Sequence, residues 1–210
     1  DRLEKKSSAG TKKINLLQSS FDFLAHELGH HMLFEYVGYS KDSSIIHKSI
    51  VEAIPDIFVM LHNQNSCLAQ KVCGLESSTA CKDGCLRNAE NNMHYTTNGL
   101  QSIKKNSELL YRLRCHGGLY NSKSYQANYH SCSQFMSGIL WDLAKELGFD
   151  SLARLLYKSL QFFPHQNLDY TKVQIALLRT DNKFFQSRYQ EKIREKFINR
   201  GLSPVELDKF

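Results

Sequence analysis

A mainly α-helical domain is what this sequence predicts, on three observations. Apolar residues recur at helical spacing over most of the chain, and strand-like alternation is weak throughout. The one long aperiodic stretch, 63–97, is polar and Cys-rich and reads as an insertion between helices. No internal repeat interrupts this pattern, so residues 19–210 are expected to form one helical domain behind a polar, Ser- and Lys-rich lead-in at 1–18.

Taken in order, the first helix starts near Ser19. Phe21, Leu24, Ala25, Leu28, His31, Met32 and Glu35 mix apolar and functional positions, and Gly38 is a natural stop. Asp42, Ser43 and Ser44 can cap the second helix, in which Ile46, Ile50, Ala53, Ile54, Ile57 and Met60 repeat on one side. Pro55 lies inside that run, where a missing N–H and a bulky ring are expected to bend the helix. Beyond the insertion a helix is expected over 98–114 and loop chemistry around Gly117 and Gly118. Helical periodicity then returns at 133–147, after Asp150, near 171–178 and at 182–199, with Gly201 as the terminal cap.

Composition narrows the class. The hydrophobic (41%) and charged (23%) fractions are those of an ordinary globular chain, and no apolar run is long enough to span a bilayer. The net charge of +6 comes from scattered Lys and Arg, apart from Lys5, Lys6, Lys12 and Lys13 and a C-terminal set, so a nucleic-acid partner is not expected. The chain opens on Asp1, without a charged start followed by an apolar core. A signal peptide is therefore expected to be absent or removed, and an upstream region or propeptide to be missing.

The six cysteines are Cys67, Cys73, Cys81, Cys85, Cys115 and Cys132. Four sit in the insertion, at C-x5-C and C-x3-C spacings without the C-x2-C knuckles of a four-thiolate zinc site. Disulfides in an oxidising compartment are the expectation, with the pairing open and Cys132 also readable as a buried thiol.

The chemistry concentrates at His26-Glu27-Leu28-Gly29-His30, an HExxH pattern. Two histidines four apart stack on one helix face, where both imidazoles reach one metal ion, and Glu27 between them suits a general base for a metal-activated water. A catalytic site needs a third protein ligand and an open position. The second helix offers Glu52 and, one turn on, Asp56, in unusually apolar surroundings. Glu52 is the expected ligand, and Asp56 the carboxylate that fixes a ligand imidazole through its other nitrogen. A buried acid pair needs a cation, and zinc (Zn2+) would be one.

HExxH followed by E-A-x-x-D on a second helix resembles the gluzincin zinc metallopeptidases, the thermolysin-like and fungalysin-like families above all. The resemblance implies His26, His30 and Glu52 as zinc ligands, Glu27 as base and Asp56 behind them, with Pro55 where those families usually have Ser. It extends to His130-x-x-Ser133, similar to the families' H-x-N-S segment with Cys132 at the Asn position. It implies that His130 donates to the oxyanion of the intermediate. The ending at 193–202, with Arg200-Gly201, also resembles fungalysin-like chains.

Zincin-type catalysis on a helical lobe, secretion or a cell-envelope location, a protein or peptide substrate and an upstream β-rich lobe across the groove are what the resemblance implies. Tyr39 and Tyr129 are candidates for an assisting tyrosine. His31, His47, His62, His94, His116 and His165 read as surface or core residues, and Trp141, Phe162 and Phe163 as core. The rival readings are a non-catalytic binding or adhesion domain that keeps a structural zinc, and a disulfide-rich secreted helical scaffold with no metal.

Overall fold

The computed structural model describes residues 21–38, 44–73, 84–96, 99–102, 112–113 and 125–207, and these are mainly helical. The lead-in at 1–18, Tyr39, Cys81, Cys115 and His116 lie outside the described residues. Helix α1 occupies 21–37 and α2 runs Ile45–Asn63. Two short strands and a helical turn follow: β1 (Cys67–Leu68), α3 (Gln70–Cys73) and β2 (Arg87–Asn88). Next come β3 (Met93–Thr96), β4 (Gly99–Ser102) and β5 (Arg112–Leu113). The chain then returns to helix as α4 (Tyr125–Leu147), α5 (Phe149–Ser159), α6 (Tyr170–Phe185) and α7 (Gln190–Asn199). Among the described residues no helix is long and apolar enough to cross a membrane.

α2 is the buried axis. Ser44 caps it by accepting from the His47 amide, and its residues from Ile50 to Ile57 are buried without interruption. A helix apolar on most sides belongs inside a protein, and α2 packs along α4, whose Phe135, Met136, Ile139 and Leu140 are wholly buried. α1 lies antiparallel to α2: Asn63 at the end of α2 donates to Asp22 near the start of α1, at 3.0 Å. Its buried side is His26, Gly29, Leu33 and Val37, a helical stripe that carries the first histidine inward.

α2 continues as helix through Pro55. The ring faces Gly29: a Cβ added at Gly29 would sit 2.9 Å from Pro55 Cβ and 3.0 Å from its Cα. The glycine of HExxH thus lets the two helices touch at backbone distance.

Three expectations are corrected. The described parts of 98–114 are strands β4 and β5, pairing in the antiparallel order β3–β4–β5, and not a helix. α4 starts at Tyr125, ahead of the expected 133, which puts His130 inside the helix. The 182–199 run is split, because Gln186 (φ 56°) and Ser187 (φ 60°) turn left-handed and end α6. Gly201, at φ +86°, does close α7, with Leu202 N–H donating back to the Phe197 carbonyl at 3.1 Å.

The aperiodic insertion is ordered where it is described. β1 and β2 pair antiparallel, Cys67 opposite Asn88 and Leu68 opposite Arg87, and a disulfide joins Cys67 to Cys85. Cys73 and Cys132 are also disulfide-bonded, and among the described residues no cysteine is free. Trp141 and Phe163 are buried in the core and Phe162 packs at its edge.

Candidate metal centre

Three elements meet at one point. α1 brings His26 and His30, α2 brings Glu52 and Asp56, and α4 brings His130. His26 is 5% exposed and Asp56 is fully buried, so the centre is walled by the core on one side. The two α1 rings stand edge to face with centroids 4.5 Å apart, and the His30 ring stacks on Phe34.

The donor atoms converge. His26, His30 and Glu52 each present one ligand atom within 4.8 Å of the others. His26 Nε2 lies 3.4 Å from Glu52 Oε2, and His30 Nε2 lies 3.5 Å from Glu52 Oε1. Zinc held tetrahedrally at about 2.0–2.2 Å keeps neighbouring donors about 3.3–3.6 Å apart. Each imidazole–carboxylate separation matches that spacing, the two running to different oxygens of Glu52. Two neutral imidazoles and a carboxylate are also the donor chemistry zinc takes. Among the described residues no fourth donor joins this group.

Behind the donors, His26 Nδ1 is 2.8 Å from Asp56 Oδ1, which aims Nε2 at Glu52. Without a metal the cluster is an ion-pair network. Burial works against a charged His26, but hydrogen bonds to Asp56 and Glu52 outweigh it and hold the imidazole up to about 9. Burial would likewise raise the Glu52 carboxyl, yet hydrogen bonds from His130, His26 and His30 hold it far below the usual carboxylate range.

Sequence reasoning missed one residue of this site. Arg87, from β2 in the Cys-rich segment, donates to Asp56 through Nη2 (2.7 Å) and lies with Nε 2.6 Å from the second oxygen. Its Nη2 is also 3.8 Å from Glu52 Oε2. The cation that the buried acid pair demands is thus already partly supplied by the chain itself. That demand was the signal that could have found Arg87; nothing in the spacing says which arginine answers it.

His130 is 40% exposed at its side chain and sits at the rim. Its Nδ1 lies between an acceptor, Glu52 Oε2 at 3.1 Å, and an obligate donor, Arg87 Nη1 at 3.2 Å. Ser133 is buried and donates to the His130 carbonyl at 2.7 Å, tying that turn of α4 together. Tyr129 packs its ring against that of His130, with centroids 4.2 Å apart.

Glu27 is exposed on the outer side of α1, beside Leu24 and Leu28. The other described histidines lie elsewhere: His47 is buried under Leu168, His31, His62 and His165 are exposed, and His94 is half-buried on β3. No protein-family model, curated protein or solved structure matches this chain.

Proposed function

We propose that this chain is the helical lobe of a zincin-type, zinc-dependent metalloendopeptidase that hydrolyses peptide bonds in an oxidising compartment outside the cytosol. The observation that carries the reading is that His26, His30 and Glu52 each bring one ligand atom within 4.8 Å of the others, with an exposed Glu27 adjacent on the same helix. Three protein donors suit a catalytic site better than a structural one, which closes its fourth position with a side chain.

When bound there, zinc supplies Lewis acidity to a peptide carbonyl and to a water molecule. The chain's own residues supply the rest. His26 and His30 hold position through Asp56 and Phe34. In this reading Glu27 is the general base that takes the proton of the attacking water and returns it to the leaving amine. His130, at the exposed rim, is assigned the donor to the oxygen that gains charge. Leu24 and Leu28, 69% and 65% exposed on Glu27's side of α1, give apolar surface for substrate side chains. The Cys67–Cys85 disulfide supports an oxidising location.

The test is cleavage of a quenched-fluorescent peptide library by zinc-loaded protein. The reading expects turnover that a chelator stops and zinc restores. A chain that binds zinc yet cleaves nothing would favour the non-catalytic binding domain.

A further inference from the structure

Arg87 reaches the candidate metal centre from a strand whose own ladder is short. β2 is two residues long, and its ladder with β1 consists of the pairs Cys67–Asn88 and Leu68–Arg87. A two-strand ladder of that length is not stable by itself in water. Further bonds add to it: Leu86 N–H to Leu68 O, Ala89 N–H to Ser66 O, Asn88 N–H to Gln134 Oε1 on α4, and Asn91 Nδ2 to Asn88 O. The Cys67–Cys85 disulfide ties β1 covalently to the chain two residues before Arg87.

From that position the guanidinium touches three members of the site at once. It donates to Asp56 Oδ1, pairs with Asp56 Oδ2 at 2.6 Å, and stands 3.2 Å from His130 Nδ1 and 3.8 Å from Glu52 Oε2. It offers no lone pair and cannot be a ligand. What it does is fix the rotamer of Asp56, and through Asp56 the ring plane of His26.

We propose that the Cys67–Cys85 crosslink sets the zinc affinity of the site by holding Arg87 as a positioning residue. The inference rests on the zinc reading above and adds a dependence that the ligands alone do not predict. With the crosslink gone, β2 frays and Arg87 leaves Asp56. His26 then loses its fixed partner, the kind of loss that weakens metal binding by about 10–100-fold. The positive charge of Arg87 works in the other direction on a cation. Asp56 neutralises it at hydrogen-bond distance, so the geometric effect dominates.

The experiment is a cycle of zinc dissociation constants, measured by competition with a chromophoric chelator. It compares the wild-type chain, the Cys67→Ser/Cys85→Ser variant, Arg87→Lys and the triple variant. Arg87→Lys keeps the charge but loses the two-point bond to Asp56. Substitution is used in place of a reductant because Cys73 and Cys132 are also in disulfides. The expected result is about 10-fold or greater weakening in the cysteine variant and in Arg87→Lys, with the triple variant no weaker than either, while far-UV circular dichroism stays helical. Wild-type zinc affinity in the cysteine variant, or losses that multiply in the triple variant, would overturn the proposal. Should the cysteine variant not fold, unchanged zinc affinity in Arg87→Lys would overturn it as well. A wild-type chain that takes up no zinc overturns the zinc reading itself, and this inference with it.

Discussion

Arg87 and Asp56 meet through a two-point pairing, Nη2 to Oδ1 at 2.7 Å and Nε to Oδ2 at 2.6 Å, with Asp56 fully buried. Burial opposes the charge on Arg87, and Asp56 more than offsets it, so the guanidinium stays charged inside the protein. Removing Arg87 takes the guanidinium from the buried Asp56 and leaves it the His26 imidazole, with Nδ1 at 2.8 Å. Arg87→Ala is therefore expected to cost about 3–5 kcal/mol of folding stability. Urea unfolding checks this, and a loss below about 1 kcal/mol would mean that Asp56 finds another partner.

The touch between Gly29 and Pro55 makes a second prediction. A methyl at Gly29 would meet the Pro55 Cβ at 2.9 Å and its backbone Cα at 3.0 Å, a rigid ring and backbone rather than a mobile side-chain end. Gly29→Ala is expected to push α1 off α2 and to destabilise by about 1–3 kcal/mol, although alanine is the better helix former. A melting temperature equal to the wild type's would show that the helices yield without cost. The same variant is expected to bind zinc less tightly, since α1 carries two of the three donors.

Glu27 separates holding a metal from using it. The side chain is exposed and outside the donor group, so Glu27→Gln is expected to keep zinc affinity within about threefold. Peptide turnover is expected to fall by about 10²–10⁴-fold, the usual worth of a general base. Parallel loss of zinc and activity would instead make Glu27 part of the metal's support.

His47 links stability to pH. Burial, with Lys48 and Lys172 nearby, pushes its imidazole below the ordinary value of 6.5, and its Nδ1 accepts from the Leu168 amide at 3.0 Å. The folded protein therefore resists a proton that the unfolded chain accepts. Its contribution is complete above pH 6.5 and is lost as pH falls below 6.5 towards the folded-state value. His47→Asn, which keeps an acceptor but does not titrate, should show a flatter fall in stability between pH 7 and 5. Parallel curves for the two proteins would remove His47 from the account.

The parts of this molecule legible in sequence are those whose signal is local. α1, α2 and α5–α7 announce themselves by helical spacing, and the HExxH and E-A-x-x-D residues can be placed because a helix fixes which side chains share a face. The strands were not legible, because β1, β2 and β5 are two residues each and carry no period. The break between α6 and α7 rests on left-handed Gln186 and Ser187, residue types that do not advertise that conformation. Arg87 was hidden for a different reason. It enters from the segment with the least periodicity, and its place depends on a crosslink and a two-residue ladder rather than on its neighbours in sequence. The demand of buried Asp56 for a cation was visible; the residue that meets it was not.

The most direct test of the central claim is the metal content of the purified chain and of its Glu52→Ala variant, each stripped with chelator, re-equilibrated with zinc and measured by mass spectrometry under native conditions. The expected result is one zinc ion per wild-type chain and none retained by the variant. A wild-type chain without zinc, or a variant that keeps its ion, would contradict the His26–His30–Glu52 centre and the peptidase reading built on it.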